Sequence, residues 1–297
     1  MLIADPQMTD DKSYQRHPLI MFFTKFYSSL YMKRNYSHLM YQIQPKDVII
    51  MGDLSDNGRE WKDDTFYAKE VNRFHTIFPT SDKIHYMAGN HDIGFGQGVN
   101  RTKVEQFKQY FGPTSYTFEH HGYQFVIMDT ISLSSSDPIL SDRSILDQIP
   151  SHPRRLLFTH VPLFRTEDQH CGPNRQQSRL NWIVNQRGHQ YQNLVSKELS
   201  DLILDKIKPL AVFSGDDHDY CKVVHRDHIP EITVPTFSMS QGVQFPGLVV
   251  LEMNPQHLST HLCWLPNQIT IFVQYGLLAL FTLLCLLVYH HSRVVSL

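Results

Sequence analysis

The sequence predicts an α/β protein: a parallel or mixed sheet covered by helices, with one C-terminal transmembrane helix. Three observations carry this. Six short apolar runs each end in a polar cluster rich in Asp, Asn or His. Stretches with helical spacing alternate with them, the pattern of a sheet wrapped by helices. Residues 269–288, ITIFVQYGLLALFTLLCLLV, hold no charge and are long enough to cross a hydrocarbon core.

Taken in order, the run LIA ends at Asp5, two residues before Gln7. Helical spacing follows over 19–35. DVIIM ends at GDLSDNG (52–58), and a second helical stretch covers 60–77. KIHYM ends at AGNHD (88–92), before helical spacing at 101–111. YQFVIM ends at DT (129–130), and RLLFT ends at His160. After helical spacing at 193–207, LAVFS ends at GDDHD (215–219). Beyond 222 the runs VV, EITV, TFSM and GLVVLEM read as short strands. The apolar tail closes on YHHSRVVSL. No Lys or Arg occurs between Arg226 and Arg293, so the positive-inside rule puts the C-terminus in the cytosol and the main domain on the other side. The sequons NYS at Asn35 and NRT at Asn100 suit that side. The expected organisation is a luminal domain over 1–265, a transmembrane helix over 269–289 and a cytosolic tail over 290–297. Because MLIADPQ begins inside an apolar run, a further segment is expected upstream of it.

Composition narrows the function. With 297 residues and a net charge of −2, and with Lys and Arg scattered, the chain offers no basic surface for nucleic acid. Four cysteines, at 171, 221, 263 and 285, form no CxxC pair, which argues against a zinc-thiolate site. Cys285 lies in the apolar tail, and the other three allow one disulfide in an oxidising compartment. The 18 histidines gain meaning only by position.

Ligands of open α/β sheets sit beyond the carboxyl ends of the strands, so the polar ends of the six runs point to one region. They supply Asp5, Gln7, Asp53, Asn90, His160, Asp216 and His218. These are oxygen and imidazole donors with too many carboxylates to pack bare. Two divalent cations sharing one bridging carboxylate would neutralise them. Asp216 and His218 are one residue apart, so on an extended segment both reach the same pair of ions. Taken singly, GNHD also fits a capping turn and GDDHD a solvated loop; the order of the set, each member following an apolar run, is what makes a site.

The succession Asp-x-Gln, GDLSDNG, GNHD, FTHVPL, GDDHD resembles the calcineurin-like metallophosphoesterase superfamily over residues 1 to about 250. That resemblance implies a four-layer αββα sandwich with a dimetal centre. Carried over, it gives Asp5, Gln7, Asp53 and His218 to one metal and Asn90, His160 and Asp216 to the other, with Asp53 bridging. Two positions depart from the pattern, Gln7 and Asp216 standing where the superfamily usually has His. Both remain donors, so the site reads as retuned rather than lost.

ADPQ, GDDHDYC and PLFRTEDQHCGP resemble a membrane-bound branch, the GPI-anchor ethanolamine-phosphate phosphodiesterases, and its fungal members most closely. The branch implies removal of an ethanolamine phosphate side branch from a mannose of the GPI glycan, with manganese, in the endoplasmic reticulum or early Golgi. GPI-anchored proteins or the GPI lipid would be the substrate, and the membrane a partner. Hard oxygen donors at Gln7 and Asp216 also favour manganese. In the expected hydrolysis, metal lowers the pKa of the attacking water. His91 protonates the leaving alkoxide, Asp92 orients His91, and Arg165 contacts phosphate or glycan. Cys171 and Cys221 flank two of the site segments and are expected to pair in a luminal domain. Two rivals stand beside this reading: a dimetal phosphatase or phosphodiesterase acting on another membrane-associated substrate, and a non-catalytic cargo-sorting protein with cargo-receptor partners.

Overall fold

Successive side chains of a strand leave opposite faces of its sheet, and this alternation sorts the apolar runs into layers. The computed structural model describes residues 1–79, 83–177, 180–188, 191–254 and 257–295. In chain order, β1 (Leu2–Ile3) is followed by α1 (Pro18–Ile43), β2 (Val48–Met51), α2 (Asp64–Ile77) and β3 (Ile84–Met87). The short α3 (Asn90–Ile93) leads to α4 (Arg101–Phe111) and then to the hairpin of β4 (Tyr116–His120) and β5 (Tyr123–Met128). Next come α5 (Thr130–Leu133), α6 (Ile145–Gln148) and β6 (Arg155–Thr159). The small pair β7 (Arg187–Gly188) and β8 (Tyr191–Gln192) precedes α7 (Lys197–Ile207) and β9 (Ala211–Ser214). Last are β10 (Cys221–His225), β11 (Ile229–Thr233), β12 (Gly247–Asn254), β13 (His257–Trp264) and α8 (Gln268–Val295).

One sheet runs β13-β12-β1-β2-β3 and the other β10-β11-β9-β6-β5-β4. Both are mixed: β1, β2 and β3 are parallel, as are β5, β6, β9 and β11, while the outer hairpins are antiparallel. Leu2, Ile49 and Met51 of the first sheet pack against Phe125, Phe158 and Phe213 of the second in one core cluster. One residue along each strand, Ile3, Ile50, Leu157 and Val212 join Phe74 of α2 and Ile203 of α7 in the other main cluster. The result is the expected αββα sandwich. A one-residue slip of any central strand would exchange its two faces. Burying each large apolar side chain contributes roughly 1.5–3 kcal/mol, so the register is strongly held. Across the second sheet Phe118, Phe125, Phe158 and Phe213 form a continuous stack, with centroids 4.6, 5.5 and 5.2 Å apart.

Two β readings shift. TFSM forms no strand; Thr236 makes a single bridge to Ala4, and its hydroxyl donates to the Asp5 carbonyl at 2.7 Å. The segment is committed to bracing the loop after β1. Conversely β13 carries no strand signal in the sequence, because its side chains are half-exposed and form no apolar run.

Cys171 and Cys221 are joined in a disulfide across 50 residues. Both sulfurs lie in a small cluster with Ile183, Leu194 and Val223. Closing a loop of that size contributes about 3–4 kcal/mol in the chain-entropy model. Cys171→Ala with Cys221→Ala is therefore expected to lower the denaturation free energy by roughly that amount, measured by chemical unfolding; coincident midpoints for the two proteins would count against it.

The apolar tail forms α8, and its stretch Gln268–His291 is long and apolar enough to cross a membrane, with none of its most apolar window buried against the rest of the chain.

Candidate metal centre

The parallel strands of both sheets end at one edge, and the loops leaving them carry the predicted donors. These loops turn sharply. Asp5, Gln7, Asp53, Asp216 and His218 all have φ between 35° and 66°. That left-handed region costs a non-glycine residue free energy and persists only where surrounding contacts enforce it; such residues gather at functional sites. Asp216 and His218 are thus not on an extended segment, as expected from their spacing; each is swung inward by its own left-handed turn. Two motif glycines are explained by close approach. A Cβ on Gly52, itself at φ +92°, would meet the His160 ring at 2.3 Å, and one on Gly89 would meet the Asp53 carboxylate at 2.0 Å.

The donors form two groups that share Asp53. On one side the Gln7 amide nitrogen donates to Asp53 Oδ2 at 2.8 Å and lies 3.1 Å from His218 Nε2. A half-turn of that amide presents its oxygen at the same point, which is the atom a cation would take. On the other side His160 Nε2 lies 3.3 Å from Asp53 Oδ1, 3.2 Å from Asn90 Oδ1 and 3.6 Å from Asp216 Oδ1. His160 Nδ1 donates to the Met51 carbonyl at 2.7 Å, which aims Nε2 inward; outer hydrogen bonds of this kind orient histidine ligands. Asp5 lies against the second group, its Oδ1 3.9 Å from His160 Nδ1 and its oxygens accepting from the Asp216 backbone N–H at 3.1 and 3.2 Å. Asp5, Asp53 and His160 each place a ligand atom within 4.8 Å of the others, all buried.

The charges of this cluster do not balance by themselves, and a cation fits. Burial pushes the Asp5 carboxyl well above its usual range, with Asp53 and Asp216 adding to the push against the pull of His160. Burial likewise carries Asp216 to about 7, despite the attraction of His160. Asp53 goes the other way. Burial alone would raise it, but His160, His91 and the Gln7 amide together hold it below the usual carboxylate range. His160 is held well above its usual value because Asp53, Asp5 and Asp216 outweigh burial. Burial keeps His218 neutral, its pKa lowered to about 4, which leaves a ring nitrogen unprotonated as a metal ligand requires. Paired cations replace protons at such sites.

A pH dependence follows. The Asp216 proton, held up to a pKa of about 7, must leave before a cation binds. His160 and Asp5, both held well above their usual values, give up protons as well, so apparent metal affinity is expected to rise by at least about tenfold per pH unit below about 7 and to go on rising above it, with more than one proton released per binding event at low pH. Calorimetric titration in buffers of different ionisation enthalpy checks this; an affinity flat between pH 5 and 7 contradicts it.

His91 lies at the mouth. Its side chain is 25% exposed whereas that of Asp53 is 1% exposed, and its Nε2 faces Asp53 Oδ2 at 3.9 Å. Its Nδ1 meets the Asp56 carbonyl at 2.5 Å. A carbonyl only accepts, so Nδ1 carries a proton and Nε2 is the atom turned to the site. Two expected roles are corrected here. Asp92 does not orient His91. Its carboxylate accepts the backbone N–H groups of Leu54, Ser55 and Gly89 at 3.1, 3.2 and 2.9 Å, and it ties the GDLSDNG loop to the GNHD loop. Orientation falls to Asp56, whose carboxylate also stands 3.7 Å from Nδ1. Asp56 is within GDLSDNG, but no spacing rule separates its role from that of a turn residue. Arg165 contacts no open surface. It is fully buried and pairs with Glu231 at 2.8 Å, and the loop after β6 is held by that pair. Burial would raise Glu231, but Arg165 and His225 outweigh it and hold the carboxyl at about 2. Arg175, not singled out from the sequence, pairs instead with Asp217, between Asp216 and His218.

A family model described as calcineurin-like phosphoesterase matches residues 27–220. Cell division control protein 1 of Saccharomyces cerevisiae is 38% identical over 299 residues, spanning 90% of this chain and 60% of that protein. Metallophosphoesterase 1 of Ailuropoda melanoleuca is 27% identical, spanning 89% of this chain and 72% of that one, and the Gallus gallus protein of the same name is 28% identical with the same coverage. The chain therefore spans about three fifths of the length of the yeast relative.

Proposed function

The chain belongs to the calcineurin-like phosphoesterase family, and on that premise we propose that it is a phosphodiesterase that removes an ethanolamine phosphate side branch from a mannose of GPI anchors. It would work in the endoplasmic reticulum or early Golgi with the main domain luminal, on GPI-anchored proteins or the GPI lipid. The observation that carries the hydrolytic reading is the pair of donor groups sharing Asp53, with the His91 ring at the mouth, its Nε2 turned to Asp53. The spanning length of α8 supports a substrate displayed at a membrane.

Asp5, Gln7, Asp53 and His218 would hold one cation, and Asn90, His160 and Asp216 with Asp53 the other. Bound there, two divalent ions, manganese in this proposal, would supply Lewis-acid charge and lower the pKa of water at the site. The chain's own residues do the rest. His91, held by the Asp56 carbonyl through Nδ1, presents Nε2 to give a proton to the leaving alkoxide. Asp92 keeps the two loops that carry Asp53 and His91 in one arrangement. The Arg165–Glu231 pair keeps the loop after His160 in place, because Glu231 also accepts from the Leu163 N–H at 3.1 Å.

The test compares GPI glycan masses from cells with and without the chain, then treats the unmodified glycan with the purified full chain. Loss of an ethanolamine phosphate from one mannose, faster with manganese than with zinc at matched occupancy, is the expected result. Identical glycan masses in both cells, with no turnover in vitro, would overturn the substrate assignment.

A further inference from the structure

Helix α1 is apolar on two opposite faces. At 100° per residue, Met21, Ser28, Tyr31, Met32 and Tyr36 lie on one side and are buried against the sheet. Leu19, Ile20, Phe22, Phe23, Phe26 and Tyr27 lie on the other and are 38–61% exposed. The N-terminal half of α1 thus buries one apolar face and turns a second one outward. The exposed rings also form a connected strip. Phe22 meets Phe23 at 5.5 Å, Phe23 stacks on Tyr27 at 6.3 Å, and Phe26 meets Tyr27 at 5.3 Å. Tyr27 then meets Phe272 at 5.9 Å, in the first turns of α8.

The strip is thereby continuous with the exposed apolar surface of the helix that can span a membrane. The join is firm. Tyr31 donates to the Pro266 carbonyl at 2.7 Å, and Gln268 donates to the Met239 carbonyl at 2.6 Å, fixing the start of α8 against α1. Between the two helices lies a cleft of about 160 Å³, lined by Leu30, Ile271 and Tyr275 among others and almost wholly apolar. Amphipathic tyrosines and apolar rings at the foot of a spanning helix are what a membrane interface accommodates.

We propose that the outward face of the N-terminal half of α1, residues 19–27, is a membrane-docking surface that sinks into the interfacial layer of the bilayer beside α8. The consequence for catalysis rests on the phosphodiesterase reading. The loop between β1 and α1 packs against the GDLSDNG loop that carries Asp53 and Asp56, the Asn57 amide donating to Asp10 at 3.0 Å. Docking therefore holds the mouth close to the bilayer, where a lipid-anchored diester is displayed.

The test needs no activity. The full chain, with Cys263→Ser and Cys285→Ser, is reconstituted into phosphatidylcholine vesicles containing some phosphatidylserine. A nitroxide is placed at Phe22→Cys, at Phe26→Cys or, on the exposed side of α4, at Glu105→Cys. Collisions with oxygen, which partitions into lipid, are compared with collisions with a water-soluble nickel chelate. The labels at 22 and 26 are expected to favour oxygen and that at 105 nickel. Nickel-accessible labels at 22 and 26 would overturn the proposal by placing the strip in water. Protection from both reagents would overturn it equally, by showing that another protein segment or a second copy covers the strip. Neither outcome bears on the dimetal site, so the two proposals fail separately.

Discussion

Asp53→Asn is expected to remove both cations together. Asp53 joins the two donor groups: Oδ2 accepts from Gln7 at 2.8 Å, and Oδ1 faces His160 Nε2 at 3.3 Å. Asparagine keeps the shape but drops the charge, and it turns one acceptor into a donor. Losing even the outer hydrogen bonds of a metal site costs roughly 10–100-fold in affinity, so losing a shared anionic ligand should cost more than about a hundredfold at each position. A Lewis acid worth several kcal/mol at the transition state corresponds to at least about three orders of magnitude in turnover. Metal content by atomic emission and turnover of a diester at fixed metal concentration read both. Two equivalents of metal retained in a folded variant would show that Asp53 does not bridge.

His91→Ala is expected to lower turnover on an alkyl diester by about two to four orders of magnitude, the usual span for a general acid, with metal content unchanged. The side chain stands at the mouth with Nε2 3.9 Å from Asp53, and its partner through Nδ1 is a backbone carbonyl. Removing the ring therefore leaves the donor set in place. An aryl diester, whose leaving group needs no proton, should recover most of the loss. Equal losses on aryl and alkyl diesters would show that His91 is not the acid. Asp92→Asn tests the corrected role of its neighbour. The loop-tying carboxylate accepts three backbone N–H groups, so its loss is expected to lower stability as well as turnover and to affect aryl and alkyl diesters alike.

The donor set was legible because each member directly follows an apolar run, and in an open α/β sheet the carboxyl ends of strands share one edge. Residues as far apart in the chain as Asp5 and His218 could be assigned to one region on that rule alone. Arg165 shows where the rule stops. It follows the His160 run closely, and nothing in PLFR tells whether its guanidinium points to substrate or into the core. Glu231 on β11 decides, because a fully buried carboxylate needs a charged partner there. Asp92 and Asp56 divide in the same way. Both sit in motif loops, and only the geometry shows that Asp92 binds backbone N–H groups while Asp56 lies against the His91 ring.

By itself, the sequence determined the layered α/β class, the order of the polar clusters that end its apolar runs and a spanning-length apolar helix, because apolar period and length are local properties of the chain; the Cys171–Cys221 pairing it only suggested, and the fold made it. The tertiary structure alone decided the left-handed turns at Asp5, Gln7, Asp53, Asp216 and His218, the splitting of the donors about Asp53, and the burial of Arg165. It also decided that one apolar face of α1 enters the core while the opposite face is left outward beside α8. The physical reason is common to all of these. Strained backbone, buried charge and an uncovered apolar face are each stable or costly only according to what distant parts of the chain place against them, and that opposing surface exists only in the folded molecule.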